Sequence, residues 1–480
     1  MAGLLDDLRG HAPHLVITDP DIMAGYCRDQ SRLTESGLPI AVLAPATTAE
    51  VSTCLKWASS HGVPVVPRGL GSGLSGGANA VAGGVVLSLH RMNRIKDLDA
   101  REHLAVVEPG VITAQLRSAV SAVGLFYPPD PGSVEFCSIG GNVATNAGGM
   151  CCVKYGVTGD FVEALEIVLA DGQILRTGGR TVKGVAGLDL TSLFVGSEGT
   201  LGVVTEVTVR LRSQPSGPLQ TLAATFADLG AAGRVVTAIV AEGLRPSLLE
   251  ILDRTTIQAV NQLVPMGLED CAALLLVQID DADDSILARI ESLCAAAGAD
   301  DLIRSESPQE ADMLLEARRM ALPALERLGD WLLDDVCVPC HRIAELLESI
   351  EQISDDTGLR IGVFGHAGDG NLHPTIIYDA SEPEQCDLAA AAFDRITAAA
   401  LGLGGTITGE HGVGRLKMGW LKRELDPVAF SLHGEIKHAL DPKGILNPES
   451  SVARSESIAG HGQLNSPAKD PALLLGEYSA

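Results

Sequence analysis

The run His366-Ala367-Gly368-Asp369-Gly370-Asn371-Leu372-His373 places two imidazoles seven residues apart around two glycines. Seven residues would put both rings on one helix face, but a glycine costs about 1 kcal/mol in a helix interior, and Asp369-Gly370 is a hairpin signal. With 368–371 as the loop between the apolar runs 361–364 and 375–378, Ala367 is expected to face Leu372, and His366 to face His373. Directly opposed Cβ atoms in a ladder lie about 4.5–5.5 Å apart, so the two rings can converge on one ion. Two histidines alone make no metal site. The third candidate stands in Gly409-Glu410-His411-Gly412-Val413-Gly414, an ionisable pair between glycines with no packing task. Glu410 would complete a two-histidine, one-carboxylate set with positions left open for other ligands.

A second chemical feature is Gly71-Ser72-Gly73-Leu74-Ser75-Gly76, which fits the dinucleotide pattern G-x-G-x-x-G. In a nicotinamide-binding loop the last glycine opens a helix, and an acidic residue follows about 20 positions on. Here Gly77, Ala78, Asn79, Gly83 and Gly84 follow, then an expected strand at 85–89, and Arg91 occupies the acidic position. No Lys-Ser or Lys-Thr follows the glycines, so a P-loop is excluded as well. What remains is a glycine-rich loop between strands, either a plain turn or a nest of bare amides around an anion. A second such stretch, from Ser138 to Gly149, adds hydroxyl and amide donors. Two loops of this kind suggest one long ligand gripped from both sides.

These loops and histidines need elements to hold them. An amphipathic helix is expected to start at Thr47, with Glu50 completing a capping box, and to end after His61 at Gly62. Strands are expected at 63–66 and 85–89. Residues 161–169 before Asp171-Gly172 read as one arm of a hairpin, and the alternation Val203, Thr205, Val207, Val209, Leu211 as a half-buried strand. Residues 214–218, with two prolines, mark a domain boundary. Beyond it, helices at 227–242, 284–297 and 308–328 alternate with strands at 272–279 and 331–338, the texture of a second α+β domain. The Ser-, Gly- and Ala-rich residues after about 450 read as a disordered tail.

With 480 residues, 46% hydrophobic and 20% charged, the chain can bury more than one core. A formal charge of -26 disfavours nucleic acid and anionic lipid surfaces, so an acidic substrate would need its own local cation. No stretch approaches the about 20 apolar residues of a membrane span, and the first residues lack the pattern of a secretory signal; a cytoplasmic protein is expected. The ten cysteines lack iron-sulfur spacing. Cys337-Val338-Pro339-Cys340 is formally a redox motif, but the alternative is an apolar strand that contains Cys337.

Three longer motifs, PRGLGSGLSGG at 67–77, CSIGGNVATNAGG at 137–149 and FVGSEGTLGVVTEV at 194–207, resemble the FAD-binding domain of the vanillyl alcohol oxidase and p-cresol methylhydroxylase type. The likeness runs over 38–448. It implies an α+β fold: a helical segment at 1–37, a PCMH-type FAD-binding domain of two α+β subdomains at 38–214, an FAD-linked oxidase C-terminal α+β cap domain at 215–420, and a segment at 421–450 that packs back on the FAD domain. By the same likeness Arg68, Gly69, Gly71, Ser72, Gly73, Leu74, Gly76 and Gly77 surround the FAD pyrophosphate. Ser138, Gly140, Gly141, Asn142, Thr145, Gly148, Gly149, Glu198, Gly202, Val203 and Asn447 line the rest of the cofactor. Some members tether FAD through a first-loop histidine. Leu70 or a neighbour stands there, so the flavin is expected to be non-covalent, with Cys137 the one alternative tether.

The motif HxGDGNxH with a later GEHG resembles the FAD-linked 2-hydroxy-acid oxidoreductases, the glycolate oxidase and D-lactate dehydrogenase group. That likeness implies zinc or manganese on His366, His373 and Glu410, and Arg318 against the substrate carboxylate, a task suited to a bidentate guanidinium. From the residues alone, Arg318 reads as a solvated helix charge. Oxidation of an alcohol must release the hydroxyl proton as hydride leaves the adjacent carbon. A divalent ion lowers that proton's pKa, and a histidine accepts it; His411 is the candidate base. Relatives acting on 2-hydroxyglutarate carry a lysine before their Leu-x-Leu-Pro strand and an asparagine two residues after the second metal histidine. Here those regions read Leu332-Leu333-Asp334-Asp335 and Thr375, which favours glycolate or D-lactate over a diacid. Electrons are expected to leave for a separate iron-sulfur protein, cytochrome or quinone. A flavin-holding accessory subunit is the competing reading of another class, and it predicts no metal site.

Overall fold

The computed structural model describes residues 4–264, 267–268 and 271–450; the stretch expected to be a disordered tail lies outside them. Three larger sheets carry the chain, beside a two-stranded one of Leu125–Phe126 and Arg212–Ser213. In the first, Ala41–Leu43, Val85–Ser88 and Val65–Arg68 run parallel, with Val16–Ile17 antiparallel at the edge. The helix Thr48–His61 packs on this sheet through Val51, Leu55 and Ala58. Thr47 caps it by accepting from the Glu50 amide at 3.2 Å, and Gly62 closes it at φ +64°. The expected capping box is only half present, because the Glu50 carboxylate turns to the Ala46 amide instead.

The second sheet is antiparallel, in the order Ile95–Asp99, Leu104–Val107, Val203–Arg210, Val162–Val168, Ile174–Gly178. The last two are the hairpin signalled by Asp171-Gly172. The stretch 139–149, expected as a loop, instead begins with a helix, Ile139–Thr145. Ser138 caps it through the Gly141 amide, Ile139 and Val143 are buried, and Asn146 ends it in the left-handed region. Burial and capping at both ends outweigh the poor helix propensity of two glycines.

The third sheet is wholly antiparallel: Asp301–Arg304, Gln220–Phe226, Ala273–Ile279, Leu248–Asp253, Arg360–His366, Asn371–Tyr378, Asp330–Leu333, with Val336–Cys337 also on Asn371–Tyr378. One face packs on helices Leu229–Ala241, Ser285–Ala296, Ile343–Thr357 and Pro383–Gly402. The other face carries Leu248, Leu252, Phe364, Leu333 and Trp331, and it holds the site.

Three expectations for this region need correction. The strand expected at 331–338 is two, because Pro374 in the neighbouring strand has no N–H to give the ladder; Asp334 and Asp335 occupy the break. The helix expected at 308–328 is three short ones, Pro308–Leu314, Glu316–Arg319 and Ala321–Glu326. Pro323 cannot donate to the Arg319 carbonyl and is tolerated only in a first turn. The histidine hairpin is two residues out of the expected register: His366 faces Asn371, and His373 faces Phe364. The turn is 367–370, closed by Gly370 at φ +78°. The Asn371 side chain is held in the ladder, donating to Asp335 Oδ1 at 2.7 Å and the Val336 carbonyl at 3.0 Å.

Lys417 fastens the break at 334–335 to the glycine motif. It is buried, pairs with Asp334 at 2.6 Å, and donates to the carbonyls of Asp335 and Ile407. Lys417→Met is expected to cost about 3–5 kcal/mol, because it strands a buried carboxylate. Urea denaturation checks this, and an unchanged midpoint would contradict it. Among the described residues no helix is long and apolar enough to cross a membrane.

Candidate active site

A cavity of about 830 Å³ lies between the two glycine stretches and the third sheet. Its walls include Arg68, Gly69, Leu70, Gly71, Ser72, Gly73, Leu74 and Gly77 from the first stretch. Ser138, Gly140, Gly141, Asn142 and Thr145 come from the second, with Glu198, Gly202 and Val203 behind them. From the sheet side come Arg318, Trp331, Leu333, Phe364, His366, His373, Glu410 and His411. The glycines are there because backbone must come close. A Cβ on Gly69 would lie 2.4 Å from Ser138 Oγ, and one on Gly71, at φ +75°, would overlap the Arg68 guanidinium.

Gly76, Gly148, Gly149 and Asn447 were expected against the cofactor but do not line this cavity. A Cβ on Gly148 would lie 2.8 Å from Glu410 Oε2, so this glycine makes room for the carboxylate. Gly149 passes against the Asp130 backbone, and Gly76 against Thr34. The Asn447 amide donates to the carbonyls of Gly77 and Glu198 at 2.8 and 2.9 Å, bracing two cavity walls from behind. Cys137 is also off the cavity, 3.2 Å from Thr113 Oγ1. Cys337 and Cys340 are free thiols facing the carbonyls of Asp369 and Gly368.

The register error does not separate the histidines. His366 and His373 share a sheet face as diagonal neighbours, their ring centroids 5.0 Å apart. Glu410 Oε1 lies 3.0 Å from His366 Nε2 and 3.3 Å from His373 Nε2. This trio, two buried histidines and a half-buried carboxylate, offers one ligand atom each within 4.8 Å of one another, a donor set suited to a divalent ion. Burial pulls the His366 pKa down, but the carboxylates of Glu250 and Glu410 overrule it and raise it to about 10. Burial, with His411 and His366 nearby, lowers His373 to about 4. Glu410 resists its own burial and stays well below the usual carboxylate range because His366 faces it.

His411 stacks on His373 with centroids 5.0 Å apart and lies beside the trio, its side chain 18% exposed. Arg318 is no solvated helix charge. Its side chain is 12% exposed, its Nε bonds Glu250, and its guanidinium lies 4.7 Å from the Phe364 ring centre.

Residues 39–178 match the FAD binding domain family, and residues 219–450 match the family described as FAD linked oxidases, C-terminal domain. The chain is 43% identical to glycolate oxidase subunit GlcD of Bacillus subtilis (strain 168), over 87% of its own length and 90% of the relative's. It belongs to the FAD-linked oxidases. The flavoprotein is also 34% identical to a D-lactate dehydrogenase of Anaerostipes hadrus, over 93% of its length and 96% of the relative's. The solved p-cresol methylhydroxylase shares the fold, at TM-score 0.79 and 17% identity over 94% of this chain and 96% of the other. The bare-amide cradle between the two glycine stretches is where this flavoprotein can hold FAD.

Two carboxylates of this site escaped the sequence reading. Asp335 Oδ2 accepts from the amides of Gly409, Glu410 and His411 at 2.8–3.0 Å and from Thr408 Oγ1 at 2.7 Å, so it fixes the turn that presents Glu410 and His411. Its pKa is lowered despite burial, chiefly by His411 and Lys417. Glu250 bonds both His366 and Arg318. The available signal was the same for each: an acidic residue inside an apolar strand run, in Leu248-Leu249-Glu250-Ile251-Leu252 and after Trp331-Leu332-Leu333. Glu198 also reaches further than expected, accepting from the amides of Val413 and Gly414 at 2.9 and 2.8 Å.

Proposed function

We propose that this flavoprotein oxidises a short 2-hydroxy acid, glycolate or D-lactate, to the 2-oxo acid. The observation that carries the reading is the convergence of His366, His373, Glu410, His411 and Arg318 on one cavity that the FAD stretches close from the other side. FAD, bound non-covalently, would supply the hydride acceptor, and a zinc or manganese ion on His366, His373 and Glu410 would acidify the substrate hydroxyl. Arg318 binds the carboxylate: with its Nε engaged by Glu250, both Nη groups are left for a bidentate grip. His411 takes the hydroxyl proton. Phe364, Leu333 and Trp331 make the neighbouring wall apolar, keeping water from the reacting carbon.

Support for the substrate class comes from the two relatives, named for glycolate and for D-lactate. A diacid such as 2-hydroxyglutarate fits less well. Beyond His373 the same sheet face offers Thr375, Leu333 and Trp331, while Arg319 is engaged by Asp312 and Glu316. Ranking kcat/KM over glycolate, D-lactate and D-2-hydroxyglutarate tests this; the diacid coming first would overturn it. The name of the relative as a subunit supports a separate electron acceptor, an iron-sulfur protein, a cytochrome or a quinone.

Ion binding should depend on pH. With its pKa raised to about 10, His366 is protonated at neutral pH and must lose a proton before Nε2 can ligate. Affinity therefore rises with pH, about tenfold per unit, with about one proton released per ion. Calorimetry in buffers of different ionisation enthalpy reads that proton directly. Zero release at neutral pH would contradict the assignment of His366.

A further inference from the structure

Glu250 sits in the strand Leu248–Asp253, between Leu248 and Leu252 on the face that holds the site. It is fully buried, at 0% exposure. Burying a carboxylate between leucines is costly unless its oxygens are satisfied. Each oxygen here is satisfied by a group that has its own task in the proposed reaction. Oε1 accepts from His366 Nδ1 at 2.7 Å, made possible by the register that sets Glu250 directly opposite His366. Oε2 accepts from Arg318 Nε.

We propose that Glu250 is a positioning residue that ties the metal ligand His366 to the substrate-binding Arg318, holding the two anchors of the substrate at one fixed separation. The proposal rests on the reading given under Proposed function. On the histidine side, acceptance at Nδ1 makes Nε2 the ligating atom and strengthens it as a ligand. On the arginine side, engaging Nε leaves both Nη groups for the carboxylate, while the Phe364 ring holds the guanidinium plane. In a 2-hydroxy acid the carboxylate and the hydroxyl sit on adjacent carbons, so their holders must keep a short, constant spacing if hydride is to be aimed at the flavin. The two holders come from different elements, the helix Glu316–Arg319 and the strand Arg360–His366. One shared carboxylate removes the freedom between them.

The test is Glu250→Met, which fills the volume and accepts from neither donor, in FAD-loaded full-length protein. Two affinities are measured: Zn²⁺ in the absence of substrate, and oxamate in protein treated with a chelator. The ion affinity is expected to fall about 10–100-fold and the oxamate affinity about tenfold, with the flavin spectrum unchanged. A fall in the ion affinity alone would reduce Glu250 to a support for His366, and a fall in the oxamate affinity alone to a countercharge for Arg318; either overturns the tie. If Glu250→Met does not fold, Glu250→Gln, which keeps one acceptor, is expected to lower at least one affinity, and a fall in neither overturns the proposal. Wild-type protein that binds no oxamate at all would instead sink the 2-hydroxy-acid reading itself.

Discussion

His411→Asn is expected to slow anaerobic flavin reduction by about 10²–10⁴-fold, the usual contribution of a positioned general base, while FAD and the divalent ion stay bound. The ring borders the cavity and stacks on His373, but it is not one of the three groups whose ligand atoms meet at Glu410 Oε1. Its backbone amide is held by Asp335 and its carbonyl by Ser75 Oγ at 3.1 Å, so the turn keeps its shape when the side chain changes. Stopped-flow absorbance gives the rate, and elemental content and flavin content on the same sample give the control. A variant that reduces its flavin at the wild-type rate would remove His411 from its role.

The second large effect is expected from the ion. A chelator that strips the site should slow flavin reduction by about 10³-fold, since Lewis-acid stabilisation of a developing alkoxide is worth several kcal/mol. Adding back zinc or manganese should restore it. FAD should remain, because the glycine stretches that frame its place are a loop between strands of the first sheet and a stretch that opens with the helix Ile139–Thr145, while the trio stands on the third sheet and on the turn 409–414. Undiminished reduction in demonstrably ion-free protein would contradict the proposed ligand set.

Some of this site was legible in the sequence for plain physical reasons. A strand after Gly76 rather than a helix excludes a nicotinamide loop, and the parallel strands Val65–Arg68 and Val85–Ser88 do flank that glycine stretch. The histidine hairpin was legible as a hairpin, but its register was not. The Asn371 amide pins it through contacts with Asp335 and Val336, residues more than thirty positions away. The partners of Glu250 and Asp335 were not legible for a related reason. Each acts on groups 68–116 and 36–76 positions distant respectively, and only the packing of strands, helix and turn brings those together. Pro323 and Pro374 were in plain view as element breakers. Their consequences depended on which carbonyl or ladder position each one left without a donor.

The most direct test of the central claim is anaerobic mixing of the FAD- and ion-loaded protein with D-lactate and, separately, with glycolate. The flavin's visible absorbance should bleach with at least one of them, with one 2-oxo acid formed per flavin reduced. An oxidised flavin that persists with both acids, in protein shown to hold its ion, would contradict the account.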